Sequence, residues 1–191
     1  VPGSLSVKRW PAGPVASNTR DSPPFTFSRA TSTTTTKSTP SRCATSGVGR
    51  PMPLHALLPL LRTPGVEFID LQYGDTHVDR QMLAAETGVR LTHLDEIDNT
   101  QDIDALAALI SACDLVITAS NSTAHLAAAL GKPTLILLAH HTPLWYWHAE
   151  GMQSPWYPTV TLLRQTTAGD WNPTVDTAAR ILRGLAIGSD A

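Results

Sequence analysis

Residues 114–133, Asp-Leu-Val-Ile-Thr-Ala-Ser-Asn-Ser-Thr-Ala-His-Leu-Ala-Ala-Ala-Leu-Gly-Lys-Pro, pass from strand to polar turn to helix to helix stop. Leu115, Val116 and Ile117 form a short apolar run of the kind found in buried parallel strands. Residues 124–130 are mostly strong helix formers, and Gly131 and Pro133 end them. Between strand and helix lie Ser120, Asn121, Ser122 and Thr123. A helix that opens there leaves backbone N–H groups unpaired in its first turn, and its dipole places about half a positive charge at that end. The turn is therefore built to receive an anion, and phosphate is the natural guest.

The same alternation extends over most of the chain. Residues 54–61 read as a short apolar helix stopped by Pro64-Gly65. Residues 66–71 read as a strand, 72–75 as a turn, 78–87 as a helix ended by Gly88, and 89–94 as a second strand. After a polar loop, residues 102–113 form an amphipathic helix with Ile103, Leu106, Leu109 and Ile110 on one face. The strand at 115–118, the helix from Ser122 and a strand at 134–139 follow. An aromatic loop at 140–158, a strand at 160–163 and a helix over about 173–185 complete the chain. Strands alternating with helices of this length predict an α/β fold with a Rossmann-like parallel sheet, covered on both faces and linked by right-handed crossovers. Ligands bind such sheets at the carboxyl ends of the strands. Three polar turns are expected at that rim: 72–75, 95–102 and 119–123.

The first 49 residues differ in kind. They hold nine Ser, nine Thr, six Pro and four Gly, with six Lys/Arg against the single acid Asp21. Such a segment buries too little apolar surface to offset its ordering entropy, so residues 1–49 are expected to be a disordered tail and 50–191 the folded domain. The threonine run 33–36 is low in complexity and carries no chemistry. The folded part has eight Lys/Arg against fifteen Asp/Glu, a net charge near −7. That balance argues against non-specific nucleic-acid binding, which needs a clustered basic face. Cys43 and Cys113 imply no disulfide framework. No apolar run reaches the ~18–20 residues of a membrane span, and the N-terminus lacks the apolar core of a signal peptide. The expectation is a soluble, cytoplasmic protein. Neither G-x-G-x-x-G nor G-x-x-x-x-G-K-[ST] is present, which removes the dinucleotide fingerprint and the P-loop.

Three separated motifs occur in order: "IDLQYGD", "EIDNTQDIDALAALISACDLVITASNSTAHLAAALGKP" and "SPWYPTVTLLRQTTAGDW". Together they resemble the C-terminal half of bacterial glycosyltransferase-like proteins with tetratricopeptide repeats, related to the lipopolysaccharide heptosyltransferases and more distantly to protein O-GlcNAc transferase. The resemblance covers roughly residues 50–187. It implies a GT-B fold, in which the N-terminal Rossmann-like domain holds the acceptor and usually the catalytic base, and the C-terminal one holds the nucleotide-sugar donor. This chain corresponds to the second alone, with the Ser/Thr/Pro-rich segment where the first would be. The switch near Arg50 is what a frame error or a misplaced gene start would leave, and the upstream nucleotide sequence read in all frames tests that.

By the same resemblance, Ser120, Asn121, Ser122, Thr123 and His125 lie against the donor diphosphate. The residues allow this: Asn121 or Ser122 can act as N-cap, spare hydroxyls and N–H groups meet phosphate oxygens, and His125 adds a donor. The plainer alternative is a capped helix with a surface histidine. Two departures bear on the sugar and on affinity. Heptosyltransferase relatives commonly carry Asp where Ser120 stands and a basic residue near Tyr73. Without that charge, diphosphate meets only neutral donors and a half-dipole, and Lys132, beyond the far end of the helix, is no substitute. Asp102 and Asp104 read equally as helix N-terminal acids and as carboxylates reaching a ribose. Gln72 and Tyr73 are candidates to touch the base or sugar. His140, His141 and His148 make a poor metal set beside Trp145, Tyr146 and Trp147, so no metal is expected, and no cofactor beyond the nucleotide sugar as substrate. The aromatic loop, with Trp156 and Tyr157, reads as a lid, as a surface facing another domain, or as core.

The leading functional expectation is the donor-binding half of a glycosyltransferase, incomplete without an N-terminal domain. A non-catalytic interaction module with a degraded nucleotide site is the alternative. A nucleotide-sugar epimerase is a third possibility, but it needs carboxylates between two domains.

Overall fold

The computed structural model describes residues 4–8, 52–140, 145–148 and 150–187. One five-stranded sheet has the order β2-β1-β3-β4-β5, with β1 at Ser4–Lys8, β2 at Glu67–Asp70, β3 at Leu115–Ala119, β4 at Thr134–Leu138 and β5 at Val160–Arg164. The strands β3, β4 and β5 are parallel, with Val116 opposite Thr134 and Thr134 opposite Val160. The helices are α1 (Leu58–Leu61), α2 (His77–Thr87), α3 (Ile103–Ala112), α4 (Ser122–Ala129) and α5 (Asn172–Ile187). A 3-10 turn, Leu54–Leu57, leads into α1, and another, Trp145–Trp147, lies in the aromatic segment.

Two features depart from the expected all-parallel sheet. Ser4–Lys8, inside the segment expected to be a disordered tail, is the strand β1, antiparallel to both β2 and β3. Its sequence, Ser-Leu-Ser-Val-Lys, has the period-two alternation of a strand, a signal swamped by the Ser/Thr/Pro composition around it. The rest of residues 1–49 lies outside the described residues. Secondly, the strand expected at 89–94 is reduced to one parallel bridge between Ile69 and Thr92. Two backbone bonds hold it, Asp70 N–H to Thr92 O at 2.8 Å and Thr92 N–H to Phe68 O at 2.9 Å. Because β2 and β3 both run against β1, they run the same way. The carboxyl ends of β2, β3, β4 and β5, and of the Thr92 bridge, thus share one rim.

Successive residues of the buried strands feed opposite faces. Leu115 and Ile117 of β3 and Leu135 and Leu137 of β4 pack with Leu57, Leu60, Val175, Ala178 and Leu182 from the α1 and α5 side. Val116 packs with Leu106, Leu109, Ile110 and Ala127 of α3 and α4. Ile136, Leu138 and Leu162 meet Ala124, Ala128 and Trp147. Both faces are covered, which is why the strands read as continuous apolar runs. Local signals set the helix ends: Asp102 caps α3 by accepting from Ala105 N–H at 2.9 Å. Gly88 ends α2 at φ 74°, a left-handed conformation that a side chain would strain. No helix among the described residues is long and apolar enough to cross a membrane.

Candidate functional site

The shared rim gathers the turns that follow β2, the Thr92 bridge and β3. The third turn forms as the sequence indicates. The Asn121 Oδ1 accepts from Ala124 N–H at 3.1 Å and lies 3.1 Å from Thr118 Oγ1, so Asn121 is the N-cap of α4. Its Oδ1 is spent on the helix cap, while Ser122 stands exposed and Thr123 is buried at the first turn.

What meets them is Tyr73, carried in by the first turn. Its hydroxyl lies 2.6 Å from Ser122 Oγ and 2.9 Å from Thr123 Oγ1, and it accepts from Thr123 N–H at 3.2 Å. An oxygen at the N-terminus of α4 is therefore already surrounded by hydrogen-bonding groups, as a phosphate oxygen would be. The Ser122 amide has no protein partner among the described residues. The second turn closes on the first through Asn99, whose Nδ2 donates to the Gln72 carbonyl at 3.3 Å. A cleft of about 590 Å³ results, lined by Tyr73, Asn99, Thr100, Ile103, Ser122, Thr123, His125 and Tyr157, with Leu106, Leu126 and Ala129 as its floor. Among the described residues, no Lys or Arg lines it.

A buried carboxylate that the sequence reading passed over fixes the first turn. Asp70, at the end of β2, is 1% exposed. It accepts from Gln72 N–H at 3.0 Å and from Thr76 Oγ1 at 2.7 Å, pairs with Arg80 Nε at 3.2 Å, and lies 3.6 Å from His93 Nδ1. An Asp closing an apolar strand, with an Arg ten residues on in a helix, was the available signal. Asp70 binds both ends of the turn that presents Tyr73, so it acts as a positioning residue for the cleft.

Of the residues singled out in the sequence, Tyr73, Ser122, Thr123 and His125 come together in the cleft, while others go elsewhere. Ser120 accepts from the Trp147 indole N–H at 2.7 Å. Gln72 is buried and borders a separate hollow of about 280 Å³ beside Met52 and Met82. Asp102 is spent as the α3 cap, and Asp104 is exposed in the first turn of that helix. Ile103, expected on the apolar face of α3, is 63% exposed and lines the cleft instead. Of the three histidines weighed as ligands, His140 turns its ring to the Gln165 carbonyl at 3.2 Å and His148 is exposed, while His141 lies outside the described residues. The described residues include no group of three or more His, Cys, Asp or Glu able to hold a metal ion.

His125 stacks on Trp147, with ring centroids 4.8 Å apart and planes at 15°, and its Nδ1 is 3.3 Å from the Tyr157 hydroxyl. Burial lowers its pKa below the usual 6.5 or so, favouring the neutral ring. In the unfolded chain the ring protonates as pH falls through about 6.5, whereas in the fold it resists. Its contribution to stability is thus complete above that pH and lost progressively below it. Thermal unfolding at pH 7.5 and pH 5.5 should show a larger drop in midpoint for the native chain than for His125→Gln. Equal drops would contradict the assignment.

Residues 99–170, which contain the end of the second turn, α3, the third turn, α4 and the aromatic segment, match the model of glycosyltransferase family 9 (heptosyltransferase). The likeness to a glycosyltransferase family is confined to that stretch. Protein FlbA of Caulobacter vibrioides is 39% identical over 135 residues, which make up 70% of this chain and 22% of FlbA. The chain therefore spans about a fifth of the length of that relative. No solved structure matches.

Proposed function

We propose that this chain is the donor-binding half of a GT-B glycosyltransferase, holding a nucleoside diphosphate sugar in the cleft at the α4 N-terminus while an acceptor hydroxyl displaces the nucleotide. One observation carries the reading. Turns from three elements converge on one rim, where Ser122 Oγ, Thr123 Oγ1 and Thr123 N–H all surround a single oxygen, that of Tyr73. The pyrophosphate replaces that hydroxyl or sits beside it on the Ser122 amide. As the leaving nucleotide gains negative charge, a preorganised helix N-terminus stabilises it without a metal. Asn99 and Thr100 offer an amide and a hydroxyl to the nucleoside, and Ile103 offers an apolar face. Kinship with tetratricopeptide-repeat glycosyltransferases and with O-GlcNAc transferase belongs to this proposal, as does a cytoplasmic setting. In that arrangement the general base comes from a partner domain, so the 191-residue chain alone turns over little or nothing.

Calorimetric titration of the full chain with UDP, GDP and ADP tests the reading. At least one should bind. Ser122→Ala should weaken it several-fold, and Tyr73→Phe, which removes the competing oxygen, should strengthen it. The second reading, an interaction module with a lapsed nucleotide site, draws on the same tyrosine and on the absence of a Lys or Arg among the described residues that line the cleft. Failure of all three diphosphates to bind either the native chain or Tyr73→Phe would favour it.

A further inference from the structure

Beside the cleft lies a second hollow of about 380 Å³, lined among the described residues by the rings of His125, Trp145, Tyr146, Trp156 and Tyr157. Resting on the donor-site reading above, we propose that the corner made by Trp145 and Trp156 is a sugar platform that receives the C–H face of a pyranose ring.

Exposure is the first argument. Trp145 is 74% exposed and Trp156 57%. A single exposed apolar side chain needs no explanation, but two indoles in edge contact form a patch that water solvates poorly. Shape is the second. Their centroids are 5.9 Å apart and their planes stand at 87°. A flat base is gripped best between parallel faces. A pyranose is thick, apolar across its axial C–H face and polar around its edge, so one indole can underlie the ring while the other closes one side.

Position is the third. His125 and Tyr157 line both this hollow and the cleft. A glycosyl group joined to a diphosphate at Ser122 and Thr123 reaches the corner by crossing the His125 ring, while the nucleoside lies on the opposite side, toward Asn99 and Ile103. The platform is also preorganised. Tyr146 packs edge-on against Trp145 at 5.6 Å and against buried Trp147 at 5.2 Å, so little ordering is left for binding to impose. The donor's glycosyl group and a sugar unit of the acceptor share this C–H chemistry, and the test separates them.

The full chain, Trp145→Ala and Trp156→Ala are titrated calorimetrically with UDP-glucose, GDP-mannose and ADP-glucose and with the bare diphosphates. Methyl α-glucopyranoside and methyl α-mannopyranoside are added separately while the indole N–H signals are followed by NMR. If the donor sugar sits on the platform, a nucleotide sugar binds more tightly than its nucleotide. Each substitution then removes that advantage, about three- to tenfold, the range expected for one aromatic contact, and leaves the bare nucleotide's affinity unchanged. If the platform serves the acceptor, the methyl glycosides shift the Trp145 and Trp156 signals without nucleotide, and the variants lose the effect. Shifts with the methyl glycosides while every nucleotide fails would keep the platform and remove the donor-site reading. Substitutions that alter neither response would overturn the platform and leave the corner as a surface for protein contact. Both indoles are exposed, so circular dichroism should show the variants folded.

Discussion

Asp70→Ala is expected to destabilise the protein by about 3–5 kcal/mol, the cost typical of removing one partner from a buried ion pair, and to lower the unfolding midpoint by roughly 10 °C for a chain of this size. The carboxylate is shielded from solvent and serves four groups from three places: Gln72 and Thr76 in the turn, Arg80 in α2, and His93 beyond the Thr92 bridge. Without it, the Gln72 N–H loses the carboxylate, the Arg80 Nε keeps its bond to Thr76 Oγ1 but loses its ion pair, and the segment bearing Tyr73 loses its two ties to the Asp70 carboxylate. Arg80→Ala should also be costly, since it leaves a buried charge with less compensation. The double variant should fall short of the sum, because the two changes remove the same interaction. Chemical denaturation of the three variants measures this. Strict additivity would mean that the pair is not coupled, and an Asp70→Ala cost below about 1 kcal/mol would place the carboxylate outside the cooperative core. Asp70→Asn keeps the shape and separates the two contributions: neutral hydrogen bonds survive in part, whereas the attraction to Arg80 does not.

The contrast between Asp70 and Asn121 shows what a sequence can disclose. Asn121 acts on a residue three positions away, so the apolar run, the cap and the Gly131 stop together locate β3 and α4 to within about a residue. The same holds for Asp102 opening α3 and Gly88 closing α2. Asp70 acts through Arg80 and His93, on separate elements, and nothing local announces their meeting. Distance also hides β1: its pairing with β2 and β3 spans most of the chain, and five alternating residues are too few to stand out from their surroundings. The segment 89–94 has the apolar residues of a strand, yet it lies beyond β2 at the edge of the sheet and finds a ladder partner only at Thr92. The candidate site was legible to the same extent. Ser122, Thr123 and His125 are visible because the motif that forms the α4 N-terminus is contiguous. Tyr73 was visible as a turn residue, but its contact with the α4 N-terminus spans 50 residues. Asn99, Thr100 and the exposed Ile103 were missed because only the packing of α3 against α4 turns them toward the same space.

Trp147→Ala should cost a comparable 3–5 kcal/mol, the usual range for truncating a buried aromatic residue to alanine, and should spread further through the site. Trp147 is wholly buried, packed among Ile136, Leu138 and Leu162 beneath the aromatic segment. Its ring supports His125, its N–H occupies Ser120, and its carbonyl, with that of His148, accepts from the Arg164 guanidinium at the end of β5. The truncation therefore opens a cavity, frees the Ser120 hydroxyl and removes the surface that holds the His125 ring. Trp147→Phe keeps most of the buried area and the stacking but loses the indole N–H, so its cost should be smaller, with about 0.5–1.5 kcal/mol belonging to the bond to Ser120. Ser120→Ala isolates that bond from the other side. If the double variant costs about 0.5–1.5 kcal/mol less than the sum of Trp147→Phe and Ser120→Ala, the hydrogen bond is one shared interaction, and strict additivity would refute it. A Trp147→Ala variant within 1 kcal/mol of the native chain would mean that the aromatic segment detaches without disturbing the sheet, and with it would go the rigid wall common to the cleft and the sugar platform.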